Sequence, residues 1–391
     1  METRKIRYLI FLKDVIILAF TCFGGPQAHL AQFVKKFVQQ RRYLSEADLM
    51  ELQSLCQILP GPTSTQTITA IGYRLGGAQL AYLTIFVWIF PATCFMGLTA
   101  LGISFIEHDS LIKVTRFIKP MGIAFIFYAA YSIGRKVIHS KTSIVLFILS
   151  TLAAYLFRSP YVTPIWILLG GLTTSFKFEQ QEKLPKNPVK IEWSNFILWG
   201  GVLITTAIVG KITGSLPVRL FENFYRNGSL AFGGGHIMKP LLFNEFVEFK
   251  HYLTADEFLS GIAISELIPG PTFSIASYVG SLSMRDWGVS GQILGALVSS
   301  VGIFLPGIFM IFFVIKFWTQ LKQFRAVRAS LEGINAASTG LTLAAGISLF
   351  EPMATDPLAI ITTIATFFLL LSNKVPSYII IIGGILLGIL L

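Results

Sequence analysis

Apolar runs with sharp polar or Gly/Pro interruptions set the pattern of this chain. "AQLAYLTIFVWIFPATCFMGLTALGISFI" at 78–106 is too long for a helix of an ordinary soluble protein. It fits the roughly 20 apolar residues that cross a bilayer. In the first half the pattern predicts two broken helical units, at 8–42 and 46–76, interrupted near their middles by FGGP and PGP. Simple spans follow near 79–106, 117–136, 142–157 and 161–176. The second half repeats the order, with broken units near 216–250 and 254–284 and simple spans near 288–317, 330–348, 356–372 and 376–391. An additional apolar run at 195–211 has no counterpart in the first half.

The polar stretch "KFEQQEKLPKNPVKIEW" at 177–193 divides the chain nearly in two and has the Pro, Lys, Glu and Gln content of a solvated linker. The expected organisation is therefore a first repeat at 1–176, a linker at 177–193, and a second repeat at 194–391 preceded by the extra span. At a constant offset of 209, FGG at 23–25 matches FGG at 232–234, "YLSEADL" at 43–49 matches "YLTADEF" at 252–258, and PGPT at 60–63 matches PGPT at 269–272. Gly72 pairs with Gly280 after a one-residue shift, and Pro91 and Pro306 both sit inside the next apolar span. Three blocks in one register indicate an internal duplication.

Composition agrees with the pattern. The chain has 391 residues, is 53% hydrophobic and only 13% charged, against about 25% charged in soluble domains. Mean hydropathy is +0.68. The expected fold is an all-α polytopic membrane protein with roughly nine full spans plus four broken or re-entrant helical hairpins. The net charge of +11 reads as the Lys/Arg excess of cytoplasmic loops rather than as a nucleic-acid surface. The basic N-terminus "METRKIR" is followed by an apolar run containing Lys13 and Asp14 and has no small-residue cleavage site, so no removed signal peptide is expected.

Topology follows from parity. Basic residues at both ends of 8–42 imply that the chain enters, turns and returns to one side. The extra span at 195–211 then reverses everything after it, so the two repeats are expected to be inverted relative to each other, as in many secondary transporters. Lys and Arg in the first 76 residues and in the linker place the N-terminus in the cytoplasm.

The breaks carry the chemistry. Pro60 ends one helix, Gly61 turns, and Pro62 suits the start of the next, where no N–H is needed. Gly24-Gly25-Pro26-Gln27, Gly233-Gly234-Gly235-His236 and Gly270-Pro271-Thr272 repeat this logic. Irregular backbone at membrane depth survives where it is buried in protein or lines a cavity. Each fresh helix start there presents free N–H groups and about half a positive charge. Four such ends around one centre suit a divalent oxyanion, with side-chain donors from Thr63, Ser64, Thr65, Thr272 and Ser274. Small residues also serve plain helix packing, but four related breaks in two repeats favour a binding role. Glu266, whose repeat mate is Gln57, is the candidate for proton coupling, and a hydrogen-bonded structural carboxyl is the alternative. His29 and His236 flank glycine tips, as donors to an anion or as packed histidines. Arg74 marks the membrane boundary by snorkelling. There is no P-loop, HExxH, GxSxG or Cys/His cluster, so no cofactor, metal or catalytic group is expected.

"FTCFGGPQAHLAQF" (20–33), "LPGPTSTQTITAIGYRLGG" (59–77), "AFGGGHIMKPLL" (231–242) and "LIPGPTFSIASYVG" (267–280) together resemble the bacterial chromate ion transporter family in its two-domain, long-chain form. The resemblance implies a plasma-membrane secondary transporter that exports chromate, with halves of opposite orientation. Carried over motif by motif, it points to Gly24, Gly25, Pro26, His29, Pro60, Gly61, Pro62 and Thr63, and to Gly233, Gly234, Pro269, Gly270 and Pro271. Gly235 stands where the first half has Pro26. Expected partners are chromate or a sulfate-like oxyanion and the lipid bilayer, with a homodimer as an allowed assembly. Sulfate transport and an intramembrane enzyme using Thr63 or Ser64 with His29 are the competing readings.

Overall fold

The computed structural model describes residues 2–22, 29–30, 32–104, 116–157, 162–177, 179, 192–231, 235–316, 324–372, 374–375 and 377–390. Every regular element among them is helical. In chain order these are α1 (Glu2–Thr21), a π-helical segment (Val34–Gln40), α2 (Glu46–Ile58), α3 (Thr63–Ser104), α4 (Ile118–Val137), α5 (Lys141–Leu156), α6 (Val162–Ser175) and α7 (Ser194–Thr213). Then come α8 (Leu216–Leu230), α9 (Gly235–Phe243), a second π segment (Asn244–Phe249), α10 (Ala255–Leu267), α11 (Ile275–Ser283), α12 (Gly288–Val314), α13 (Arg325–Phe350), α14 (Pro357–Ser372) and α15 (Ser377–Leu390).

The duplication reaches into backbone detail. Gly61 has φ 119° and Gly270 φ 107°, while Arg42 and His251 are, among the described residues, the two non-glycine residues with positive φ, at 53° and 54°. Arg41 N–H reaches back to Lys36 O (3.0 Å) and Lys250 N–H to Glu245 O (2.9 Å), closing the two π segments alike. Tyr43 and Tyr252 donate to Phe37 O and Phe246 O, both at 2.8 Å. Each pair is offset by 209.

Capping residues start the second helix of each copy. Ser45 N donates to Asp48 Oδ2 (3.3 Å) and Asp48 N returns to Ser45 Oγ (3.1 Å). Thr254 N donates to Glu257 Oε2 (2.8 Å) and Glu257 N to Thr254 Oγ1 (3.2 Å). Reciprocal pairs of this kind satisfy the orphan donors of a first helical turn. Asp48 also binds Arg74 Nη2 at 2.7 Å, so Arg74 is ion-paired as well as half-exposed.

The first simple span of each copy follows its broken unit without a loop. Within α3 the chain reverses at Gly77 (φ 72°, ψ −164°). Before α12 it reverses through Arg285–Trp287 and Gly288 (φ 69°, ψ −166°). A Cβ at either glycine would meet open space, so the backbone conformation, not crowding, calls for glycine here. The limbs then pack closely: a Cβ on Gly72 would lie 2.6 Å from Thr84 Oγ1, and one on Gly280 2.4 Å from Gly295 O. Pro91 and Pro306 lie inside α3 and α12.

Two compact units divide the chain. The first comprises Met1–Ile106, Ile197–Ser229 and Ile264–Ile315; the second comprises Glu107–Phe196, Leu230–Ala263 and Lys316–Leu391. Each therefore draws on both sequence halves. In the first unit, the limb ending in Gln40 folds back along α1, with Phe11 5.5 Å from both Phe37 and Tyr43. Asp14 on α1 is fully buried and is neutralised by Arg41 (2.8 and 3.1 Å), Tyr43 OH (2.8 Å) and Lys36 (3.2 Å). A buried carboxylate is tolerated only when so paired. In the second unit α13 is central, packing on α4, α5 and α6. Small residues bring backbones together: a Cβ on Gly333 would fall 1.8 Å from Gly170 O. Ser150 and Thr151 hydroxyls donate across to Ala337 O and Gly340 O, both at 3.1 Å.

Four helices among the described residues are long and apolar enough to cross a membrane, at Thr63–Ile103, Ser194–Thr213, Arg285–Val314 and Ala329–Met353. Shorter apolar helices occupy Lys141–Leu156, Ile165–Ser175, Pro357–Ser372 and Ile379–Gly388. The least buried of the four long ones is α7, whose Ile197, Ile204 and Ile212 are 66%, 61% and 79% exposed. Exposure of that extent on one helix is compatible with lipid, not water, as surroundings.

Candidate functional site

The first PGP break opens α3. Every residue from Leu59 to Gly72 is buried, so this helix start is sealed from the surface. Gln66 N–H bonds back to Pro62 O at 2.9 Å, and no earlier N–H of the helix has a carbonyl four residues behind it inside α3. Thr63, Ser64 and Thr65 are 2%, 4% and 2% exposed. Gly61 lies against α12, where a Cβ would come 2.9 Å from Gly307 Cα. Gln66 Nε2 donates both to Pro60 O (2.8 Å) and to Gly307 O (3.1 Å) and fixes that contact.

The second PGP break docks on the middle of α3. A Cβ on Gly270 would come 3.0 Å from Ala92 Cβ, 3.6 Å from Ala19 O and 3.9 Å from Trp88 O. Gly270 N–H donates to Cys22 O at 2.8 Å. Each break is thus held against the proline-bearing span of the other copy, at the residue that follows its proline: Gly61 beside Gly307 and Gly270 beside Ala92. The helix start after Gly270 is less regular, a 3-10 turn at Thr272–Ser274 leading into α11. Ser274 is buried and Thr272 partly exposed.

Trp88 is the hub, and sequence reasoning missed it. Its Nε1 donates to Thr65 Oγ1 at 3.2 Å. Its ring meets the His29 ring edge-on at 5.3 Å. One turn of α3 therefore gathers the first PGP helix start, His29, the residue that precedes the first FGG, and the second PGP turn. Several polar atoms here have no hydrogen-bond partner among the described residues: both ring nitrogens of His29, Thr63 Oγ1 and Gln66 Oε1. His29 is 1% exposed. The Cys22 carbonyl lies near its ring without completing a hydrogen bond, and the half-buried Glu266 lies within electrostatic reach. Buried unpaired polar atoms are costly, and several together mark a place made for something polar.

The remaining expectations sit as follows. Gly24, Gly25, Pro26, Gln27, Gly233 and Gly234 lie outside the described residues. Gly235 and His236 open α9, which belongs to the second unit. Pro62 and Pro271 are the residues immediately before the two helix starts, and Pro60 and Pro269 stand two positions earlier. Among the described residues no group of three His, Cys, Asp or Glu side chains gathers as a metal site would.

Long apolar helices with lipid-compatible exposed faces make this a multi-pass membrane protein. The chain belongs to the chromate transporter family, whose model matches residues 10–175 and 218–389. The unmatched interval between them contains α7. A chromate transport protein of Pseudomonas aeruginosa is 26% identical, across 93% of this chain and 88% of that protein. One of Cupriavidus metallidurans is 23% identical, across 94% and 88%. An uncharacterized transporter of Methanocaldococcus jannaschii is 25% identical, across 98% and 93%. No solved structure matches the chain.

Proposed function

We propose that this protein is a secondary active transporter that exports chromate across the bacterial plasma membrane. The observation that carries the reading is the buried start of α3, beside the unpartnered side-chain atoms of His29, Thr63 and Gln66. A dianion there would accept from Thr63, Ser64 and Thr65 N–H groups and from the Thr63 hydroxyl, helped by the positive end of a long helix. His29 would donate through one ring nitrogen. The Gly270 turn would form the opposite wall. Glu266, within electrostatic reach of His29, would carry the coupling proton. Binding of a dianion beside a protonated pair and release after its deprotonation would link anion and proton movement. In this reading the two repeats are inverted, and alternating exposure of the site to each side in turn would complete the transport cycle.

The decisive measurement is chromate flux in proteoliposomes, with and without an imposed pH gradient. The wild type is expected to move chromate faster with the gradient. Glu266→Gln is expected to lose the gradient response while retaining binding, and His29→Ala to weaken chromate binding. A gradient response unchanged in Glu266→Gln removes that residue from coupling. The same cradle would accept sulfate, because N–H groups and hydroxyls read tetrahedral shape and charge. Failure of excess sulfate to compete for chromate flux would establish discrimination between the two.

A further inference from the structure

A groove in the second unit takes no part in the site described above. Its volume is about 860 Å³, of the size that holds a small-molecule ligand. Its walls come from α4, α5, α13 and α14 and include Phe127, Phe147, Leu343, Ile364, Phe367 and Phe368. Ile364 and Phe368 are 52% and 64% exposed, so the groove opens outward among apolar side chains. Thr363 adds one hydroxyl, already committed to Pro120 O at 3.2 Å.

The remaining polar groups stand toward the C-terminal end of α4. Arg135 lines the groove in the last turn of that helix. Its guanidinium lies 5.7 Å over the Tyr131 ring and donates to Tyr131 OH at 3.4 Å. Among the described residues it has no carboxylate partner. An apolar trough that ends in an unneutralised cation has the two-part chemistry of an anionic lipid. A second copy of the chain is the poorer match. Its α7, the least buried of the four long apolar helices, carries no acidic residue and would bring Lys211 instead.

We propose that this groove binds an anionic phospholipid, an acyl chain lying along Phe127, Phe147 and Phe367 and the phosphate meeting Arg135. Basic residues between membrane helices recognise anionic headgroups in this way. Phosphatidylcholine would seat its chains equally well, but its choline cation would oppose Arg135.

The test is native mass spectrometry of the purified full-length protein, titrated with phosphatidylglycerol and, separately, phosphatidylcholine. The wild type is expected to retain phosphatidylglycerol roughly fivefold better, the preference one basic residue gives at an anionic surface. Arg135→Gln is expected to bring the ratio close to one and Arg135→Lys to keep most of it. Ala130→Phe, which fills the groove, is expected to reduce retention of both lipids, and it serves should Arg135→Gln fail to stay monodisperse. Equal retention by the wild type, an undiminished preference in Arg135→Gln, or undiminished retention in Ala130→Phe would overturn the proposal. So would efficient disulfide cross-linking of Ile364→Cys between copies in a Cys94→Ser background, which assigns the groove to a dimer contact.

Discussion

Gly61 and Gly270 are equivalent in sequence and in φ but not in surroundings. Both sit where an L side chain is strained at a cost of about 1–3 kcal/mol. At Gly61 an added Cβ would also meet a backbone atom, Gly307 Cα at 2.9 Å, which cannot turn aside. At Gly270 it would meet the methyl of Ala92 at 3.0 Å. Gly61→Ala is therefore expected to abolish chromate flux in proteoliposomes and to lower the thermal stability of the solubilised protein more than Gly270→Ala, which retains partial flux. Equal or reversed losses would mean that the contact with α12 does not set the cost. Gly61, Gly270 and Thr63 were legible because Gly and Pro act on their own backbone. Trp88, Gln66 and Gly307 were not, since their roles exist only after distant segments meet: Gln66 and Gly307 are 241 positions apart.

At the scale of single elements the two copies are built by the same local rules. The boxes at Ser45/Asp48 and Thr254/Glu257 each satisfy two donors at a helix start. Ser45→Ala and Thr254→Ala are each expected to cost about 1 kcal/mol of stability, read as a shift in thermal unfolding, with additive loss in the double variant. A much smaller effect at Thr254 would show that α10 is held by packing rather than by its cap. The helix breaks at 60–62 and 269–271 were readable from composition. The reversals at Gly77 and Gly288 were not, because "RLGGAQ" and "RDWGVS" contain glycines without saying which one takes positive φ. The π segments were equally invisible, because a hydrogen bond to the fifth residue back instead of the fourth leaves no mark in residue type.

For the whole molecule, each compact unit takes segments from both sequence halves. Offset arithmetic along a chain cannot reveal such an exchange, since it compares sequence and not contact. It does fix parity. With α7 inserted between the copies, Gln40 and Lys250 are expected on opposite faces of the membrane. Single cysteines at these positions in a Cys94→Ser background should react with an impermeant maleimide, Gln40→Cys only in inside-out vesicles and Lys250→Cys only in right-side-out ones. Labelling of both from one face would remove the inversion. The background is suitable because Cys22 and Cys56 are buried and Cys94 alone of the three is exposed.

The reversals at Gly77 and Gly288 also limit how the copies were free to drift apart. With no loop to absorb a change in length, every inserted residue rotates the rest of the following helix by about 100°. Pro91 stands 14 positions after Gly77, and Pro306 stands 18 after Gly288. The difference of four residues turns the helix by about 400°, only ~40° beyond a full revolution, and lengthens it by about 6 Å. An insertion of one or two residues would have carried the proline and its neighbours to another side of the helix. The ancestral halves thus diverged in length by close to one whole turn, a step that leaves Gly307 and Ala92, each directly after its proline, against the PGP glycine of the other copy.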